Sequence, residues 1–435
     1  MTSRGCFVYI TLPQQTNPVV AGRLEISSRQ NIETARFVYG RSYLARANAV
    51  EIDPVDLNVL DSQTYTQSGI GPLFSSIRDA SPDSWGRRVI ERALGGTLHE
   101  IDYLLNSPDD RAGALSFGHG SVPPGPMRQF NRTIQLPQLL ETSDALLAGD
   151  KPADADVGKQ VQQLQQLGSA MGGARPKAVI EDDEGLWLAK FPRQDDQFDQ
   201  PRVELAMLSL AEVAGLRVAR SRIETVSGRS VLFVKRFDRE RAPEGYYRHR
   251  MISGLTLLQA PDSAMDRDRW SYLLLADQLR RFDGDETVSR EELFNRMVFN
   301  ALIANSDDHP RNHAMIADEK GWRLSPAYDL TPTPQISPFD RSLAMAIGDN
   351  GRAATAANLL SRTEVFGLSR DKATDLIRRM RELIRREWYG VCRSAGVSDG
   401  DCDFISSAFN QEGFDPDGIL NRQGENQPEI GMEFG

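Results

Sequence analysis

The sequence predicts an α+β protein of two or three units, and three observations predict it. At 435 residues the chain exceeds one ordinary domain. Residues 5–50 alternate apolar and polar side chains as strands do, in CFVYITL, VVAGRLEIS and ARFVYG. From about residue 250 onward, apolar residues recur at helical spacing instead. Hydrophobic residues make up 40% and charged residues 26%, which excludes a disordered or fibrous chain.

Taken in order, residues 82–95 (PDSWGRRVIERAL and the glycine after it) read as a capped helix. Two Pro/Gly-rich stretches follow, SVPPGPM at 121–127 and AGDKPADADVG at 148–158, the second a linker. Residues 160–168 read as helix. Then come a Gly-rich loop, a strand, the acidic turn EDDEG and a second strand ending LWLAKFP, which together predict a hairpin. Residues 201–216 form a helix, with Pro201 near its start and Gly215 near its end. SRIETV and SVLFVKRF are strands joined by Ser227–Gly228. EELFNRMVFNALIAN, at 291–305, is a buried helix that stops at a polar cluster. No unit of 20–50 residues repeats, so the chain is not a solenoid.

Charge and cysteine usage narrow the class. With 61 acidic and 51 basic residues the net charge is −10, which disfavours direct DNA binding by this chain. The basic run LIRRMRELIRREW at 376–388 reads as a solvated amphipathic face. Cys6, Cys392 and Cys402 are too few and too scattered for a disulfide framework or a zinc cage. There is no run of 18 apolar residues and no signal-like start, so a reduced, cytoplasmic protein with no membrane span is expected.

The chemistry concentrates in NSDDHPRNH, residues 305–313. Two carboxylates, two histidines and two asparagines in nine residues read as a solvated loop, a metal-only site or a catalytic loop. Asp307 and Asn312 have four residues between them, the spacing of a kinase catalytic loop. There the Asp takes the hydroxyl proton and the Asn holds magnesium. Asp329 stands seventeen residues beyond Asn312, in RLSPAYDLTPTP, as a second hard ligand or as a turn residue. Upstream, MGGARPK at 171–177 is a Gly loop opening a strand. It is not a Walker loop, since GxxxxGK[ST] is absent. Lys190 lies on the next strand. Glu204 lies on the helix after it, placed to orient the lysine.

This ordered set resembles the HipA family of serine/threonine kinases, the toxins of bacterial toxin–antitoxin modules. The resembling segments are GGARPKA (172–178), LAKFP (188–192), VKRFDR (234–239), NSDDHPRN (305–312), LSPAYDL (324–330) and SLAMAIG (342–348), with PDSWGRR (82–88) and RAGALSFG (111–118) in the N-terminal part. The resemblance implies a protein-kinase-like fold related to the phosphatidylinositol kinases. Residues 1–150 would form an N-terminal α/β subdomain, 151–245 the small lobe, and 246–435 a helical large lobe. It implies ATP and Mg2+ as cofactors. Gly172, Gly173, Ala174, Arg175, Pro176 and Lys177 would form the phosphate loop, and Lys190 would contact the phosphates. Lys235 and Phe237 would offer hinge backbone to the adenine. Asp307 would be the catalytic base. His309, Asn312, Tyr328 and Asp329 would lie against nucleotide and metal, with Asn312 and Asp329 as the metal ligands.

The family implies further a protein substrate, such as a translation component, and a helix-turn-helix antitoxin (HipB-like) through which DNA is contacted. One departure concerns regulation. Some members autophosphorylate a loop serine, whose aligned position here is Ala170, with Ser169 beside it. The competing functions are a small-molecule phosphotransferase and a non-catalytic nucleotide- or antitoxin-binding co-repressor.

Overall fold

Alternation over much of the first 40 residues produces a sheet with one face packed into a core. In the computed structural model, β1 (Thr2–Thr11), β2 (Pro18–Arg29), β3 (Ile32–Tyr39), β4 (Thr64–Gln67) and β5 (Leu115–Gly118) form an antiparallel sheet of order β4-β3-β2-β1-β5. Val8, Ile10, Leu24, Ala35 and Phe37 point into one core, closed by Ile77 of helix Ser75–Asp79 and by Ile101 and Leu104 of helix Glu100–Asn106. The structure describes residues 2–29, 32–67, 70–125, 130–148, 175–263, 265, 267–284, 286–318, 321–334, 337, 341–411 and 414. The expected linker beyond 148, the helix expected at 160–168, Ser169, Ala170 and Gly172, Gly173 and Ala174 of the expected phosphate loop lie outside these.

A second sheet has the order β6-β7-β8-β10-β9, with β6 (Asn131–Arg132), β7 (Lys177–Asp182), β8 (Gly185–Lys190), β9 (Ser221–Val226) and β10 (Arg229–Lys235). Both expected hairpins form. In the first, Asp182 Oδ1 accepts from the backbone of Glu184 (2.8 Å) and Gly185 (3.1 Å) and from the Trp187 indole (2.9 Å). In the second, Ser227 and Gly228 both have positive φ (49° and 77°), the geometry of the tightest hairpin turn. The core of this sheet, Ile180, Trp187, Ala189 and Phe233, is completed from upstream. Leu139 and Leu140 of helix Leu136–Ala148 pack there, as do Trp85 and Val89 of helix Ser84–Leu94.

The third core is mainly helical. Helices Gln200–Val213, Tyr272–Phe282, Glu286–Leu302 and Arg370–Ser394 share it through residues such as Met207, Leu275, Met297 and Ile377. β11 (Arg239–Ala242) and β12 (Gly245–Arg248) form a hairpin. A small sheet, β13 (Arg250–Ser253), β14 (Ala314–Asp318) and β15 (Gly321–Leu324), interrupts the helices. Its β14–β15 hairpin spans the interval between Asn312 and Asp329. On Arg370–Ser394, Ile377, Met380 and Ile384 are buried while Arg379, Arg385 and Arg386 face water, as expected of an amphipathic surface helix. Among the described residues no helix is long and apolar enough to cross a membrane.

Candidate active site

The polar run 305–313 divides between two environments. Helix Glu286–Leu302 ends in a turn in which Ala304 has a left-handed φ of 54°, and its carbonyl accepts from Thr333 N at 3.0 Å. Beyond it, Asn305, Asp308 and His313 turn inward. His313 Nε2 lies 3.1 Å from Asp308 Oδ2, and the Tyr272 hydroxyl donates to the same oxygen. Asn300 Nδ2 donates to Tyr272 (3.1 Å), and Asn305 Nδ2 to Asn300 Oδ1 (3.0 Å). This buried network pins the loop from beneath. Asp307, His309 and Asn312 are left facing a cleft. Asn312 Nδ2 donates to the Asp307 carbonyl at 3.4 Å. The half-enclosed position of Asp307 pushes its carboxyl above the ordinary value, against the pull of His309.

Across the cleft, Lys190 is the last residue of β8. Its Nζ lies 2.6 Å from Glu204 Oε1 and 2.8 Å from Asp329 Oδ1. Glu204 is fixed by helix Gln200–Val213, whose start Asp199 caps through Arg202 N (3.2 Å), with Pro201 in its first turn. Asp329 has a left-handed φ of 60°, so the chain bends sharply to present it. Burial works to lower the Lys190 ammonium, but Asp329 and Glu204 outweigh it and push it up. Burial likewise raises Asp329, and Lys190 overcomes it, holding that carboxyl at about 2. Glu204 is raised, burial prevailing over Lys190.

Two cavities meet here. The more apolar one is lined by Leu188, Val234, Phe237, Met251 and Tyr328. Tyr328 packs on Phe237 with ring centroids 5.6 Å apart and donates its hydroxyl to the Arg311 carbonyl at 2.7 Å. Lys235 borders this cavity through its backbone. Its amide bonds Arg220 O (2.7 Å), and its ammonium turns outward to the Glu184 carbonyl, over the Trp187 ring. The second cavity is polar and contains Lys177, Lys190, Glu204, Asp307, Arg311 and Asp329. Arg175 belongs to its wall, gripping Asp196 with two bonds of 2.7 Å, and the Pro176 carbonyl accepts from Phe191 N at 2.9 Å. Among the described residues no group of three or more His, Cys, Asp or Glu side chains gathers as metal ligands.

The sequence reading missed the N-terminal contribution. Asp79 accepts from Ser253 N (2.7 Å), Ser253 Oγ (2.8 Å) and Thr256 Oγ1 (2.6 Å), and lies 3.7 Å from Arg311. Asp83 lies 2.7 Å from Lys177 Nζ. Arg311 donates to Asp262 at 3.0 and 2.6 Å, closing the rim. The one available signal was PDSWGRR, legible as a capped helix but silent about its partners.

The family model of the HipA-like C-terminal domain matches residues 169–388, half of the chain. The chain belongs to the HipA family. Among curated relatives, this HipA-family chain is 29% identical over 238 residues to a provisionally named kinase of Sinorhizobium fredii (strain NBRC 101917 / NGR234), across 49% of this chain and 55% of that one. It is 26% identical over 164 residues to the serine/threonine-protein kinase toxin HipA of Shewanella oneidensis, across 34% of this chain and 37% of that one. The chain thus spans less than two thirds of either relative. In three dimensions it is similar to a chain of the Shewanella oneidensis MR-1 toxin–antitoxin complex of HipA, HipB and operator DNA. That match has a TM-score of 0.65 and 19% identity, and covers 92% of this chain and 95% of the other. It establishes the HipA fold for this family member and thereby its kinase-like α+β class.

Proposed function

We propose that this HipA-family chain is an ATP- and magnesium-dependent serine/threonine protein kinase, the toxin of a toxin–antitoxin module. The observation that carries the reading is the pairing of Lys190 with Glu204 and Asp329 at the cleft that Asp307 and Asn312 also line. In the proposed reaction the substrate hydroxyl oxygen attacks the γ-phosphorus of ATP, its proton passes to an Asp307 carboxylate oxygen, and ADP leaves. Lys190 exchanges Asp329 for phosphate oxygens while Glu204 keeps its ammonium in place. Phe237 and Tyr328 enclose the base, and the backbone of Lys235 and Phe237 borders its edge. Gly172, Gly173 and Ala174 supply backbone N–H groups to the phosphates, with Lys177 beside them. His309 flanks the nucleotide.

The donor set fits magnesium. The Asn312 carbonyl oxygen takes no donor among the described residues, and Asp329 offers a carboxylate held ionised. Those two residues would hold the ion, which neutralises charge on the phosphates when bound. In the working division, residues 1–150 flank the enzyme, 151–245 form the small lobe and 246–435 the large lobe.

The test is transfer of radiolabelled phosphate from ATP to a bacterial lysate. Asp307→Ala should lose about 10²–10⁴-fold. Equal transfer by both proteins refutes the assignment. Overproduction should arrest bacterial growth with the native chain and not with Asp307→Ala, and co-expression of a HipB-like helix-turn-helix antitoxin should relieve it.

A further inference from the structure

In the antiparallel register of β7 and β8, Lys177 sits directly opposite Lys190. Directly opposed residues project from the same face of a sheet, so two ammonium-bearing chains leave this wall side by side. Both are buried, 1% and 8% exposed. Like charges so placed destabilise the pair unless each is given an anion. Lys190 has Glu204 and Asp329. Lys177 has Asp83, which the chain supplies from 94 residues upstream at 2.7 Å.

Asp83 is itself immobilised. Its Oδ1 accepts from Gly86 N at 2.7 Å and so caps helix Ser84–Leu94. Trp85 and Val89 of that helix are packed into the core beneath β7 and β8. Burial raises the Asp83 carboxyl, with Lys177 opposing. A dry carboxylate set on a packed helix is a costly way to hold a lysine unless the lysine's position matters. Lys177 and Lys190 open together onto the polar cavity that contains Asp307 and Asp329. Their attachment points are those of directly opposed residues on adjacent strands, about 5 Å apart, so both ammonium groups can serve one polyphosphate chain in that cavity.

We propose that Asp83 is a positioning residue of the nucleotide site, holding the Lys177 ammonium beside Lys190 so that the two lysines receive the triphosphate together. The proposal rests on the kinase reading above, and extends the site into the N-terminal part of the chain.

The experiment is calorimetric titration of the full chain with ATP and magnesium, alongside steady-state kinetics. The proteins are the wild type, Asp83→Asn, Lys177→Met, the double variant and Lys190→Met. Asparagine is as good a helix cap as aspartate, so Asp83→Asn removes the charge and keeps the cap. Asp83→Asn should weaken ATP binding by about tenfold or more. It should raise the KM for ATP by more than it lowers kcat, and add nothing in the Lys177→Met background. Native ATP affinity in Asp83→Asn overturns the proposal, as does an undiminished effect of Asp83→Asn in the Lys177→Met background. If Asp83→Asn does not fold, Lys177→Met decides alone, and full ATP affinity there overturns it. A wild type that binds no ATP removes the kinase reading and this proposal with it. Loss of ATP in Lys190→Met with retention in Asp83→Asn removes this proposal only.

Discussion

Replacing Glu204 by glutamine tests the ion-paired wall with little change of shape. Glutamine keeps the volume and an acceptor oxygen for Lys190, and deletes one charge. Glu204 Oε1 lies 2.6 Å from the ammonium, and the two side chains are 4% and 10% exposed. At an effective dielectric constant of about 20, unit charges at that separation attract by about 6 kcal/mol. Roughly half returns, because the neutral amide escapes the desolvation that the buried carboxylate suffers. The expected loss is about 3 kcal/mol, the lower end of what breaking a buried ion pair costs. Lys190 keeps Asp329 at 2.8 Å, which confines the damage to this wall. The same change binds Lys190 more exclusively to Asp329, the carboxylate it must release for phosphate, so the KM for ATP should rise. Urea unfolding of the wild type, Glu204→Gln, Lys190→Met and the double variant, followed by tryptophan fluorescence, gives the coupling between the two residues. Trp187, on the same strand as Lys190, reports locally. A loss below about 0.5 kcal/mol in Glu204→Gln, with no coupling to Lys190→Met, would refute a dry, mutually dependent pair.

Other consequences are more local. Asp238 accepts from Gly113 N (2.9 Å), Arg236 (2.8 Å) and Arg239 (2.7 Å); burial works to raise its carboxyl, but the two guanidinium groups hold it well below the usual range. Its stabilising contribution is therefore complete above pH ~4 and drains as pH falls below that, so acid titration of stability should be flatter in Asp238→Asn than in the wild type. A Cβ on Gly254 would lie 2.6 Å from the Pro310 carbonyl, beneath the turn that carries Asn312, so Gly254→Ala should lose about 1–3 kcal/mol in denaturant and lower phosphotransfer. Cys6, Cys392 and Cys402 are buried free thiols, and burial pushes Cys6 and Cys392 up to about 12. A thiol reagent at pH 8 should find none in the native protein and all three in denaturant.

The parts of the fold that announce themselves in sequence are those fixed by local periodicity and turn chemistry. The alternation of residues 5–50 as far as Tyr39, beyond which helix Arg41–Leu44 replaces the expected strand, the EDDEG turn and the Ser227–Gly228 turn each determine a strand pairing without reference to distant residues. The order of Lys190, Glu204, Asp307, Asn312 and Asp329 was likewise legible, because spacing along the chain encodes which side chains a hairpin or helix can present. What spacing does not encode is direction. In 305–313 the polar residues look equivalent, yet Asp308 and His313 turn to Tyr272 while Asp307 and Asn312 turn to the cleft. Tyr272, on a helix more than thirty residues upstream, makes that choice, steadied by Asn300 of the helix that runs into the loop.

The N-terminal contribution was illegible for the same reason at longer range. Asp79 and Asp83 belong to a stretch that carries no chemistry by composition, since a capping aspartate before a helix has an ordinary local explanation. The cap is real: Asp83 Oδ1 bonds Gly86 N. A carboxylate has a second oxygen, however, and here it reaches Lys177 on β7. Only the register of β7 against β8, which puts Lys177 opposite Lys190, makes that contact necessary. A buried lysine pair demands anions, and the helix Gln200–Val213 and the 329 bend supply them to Lys190. The anion at 2.7 Å from Lys177 comes from outside the kinase-like half. The requirement therefore arises from sheet geometry and its answer from a distant cap, and neither is visible until the strands are paired.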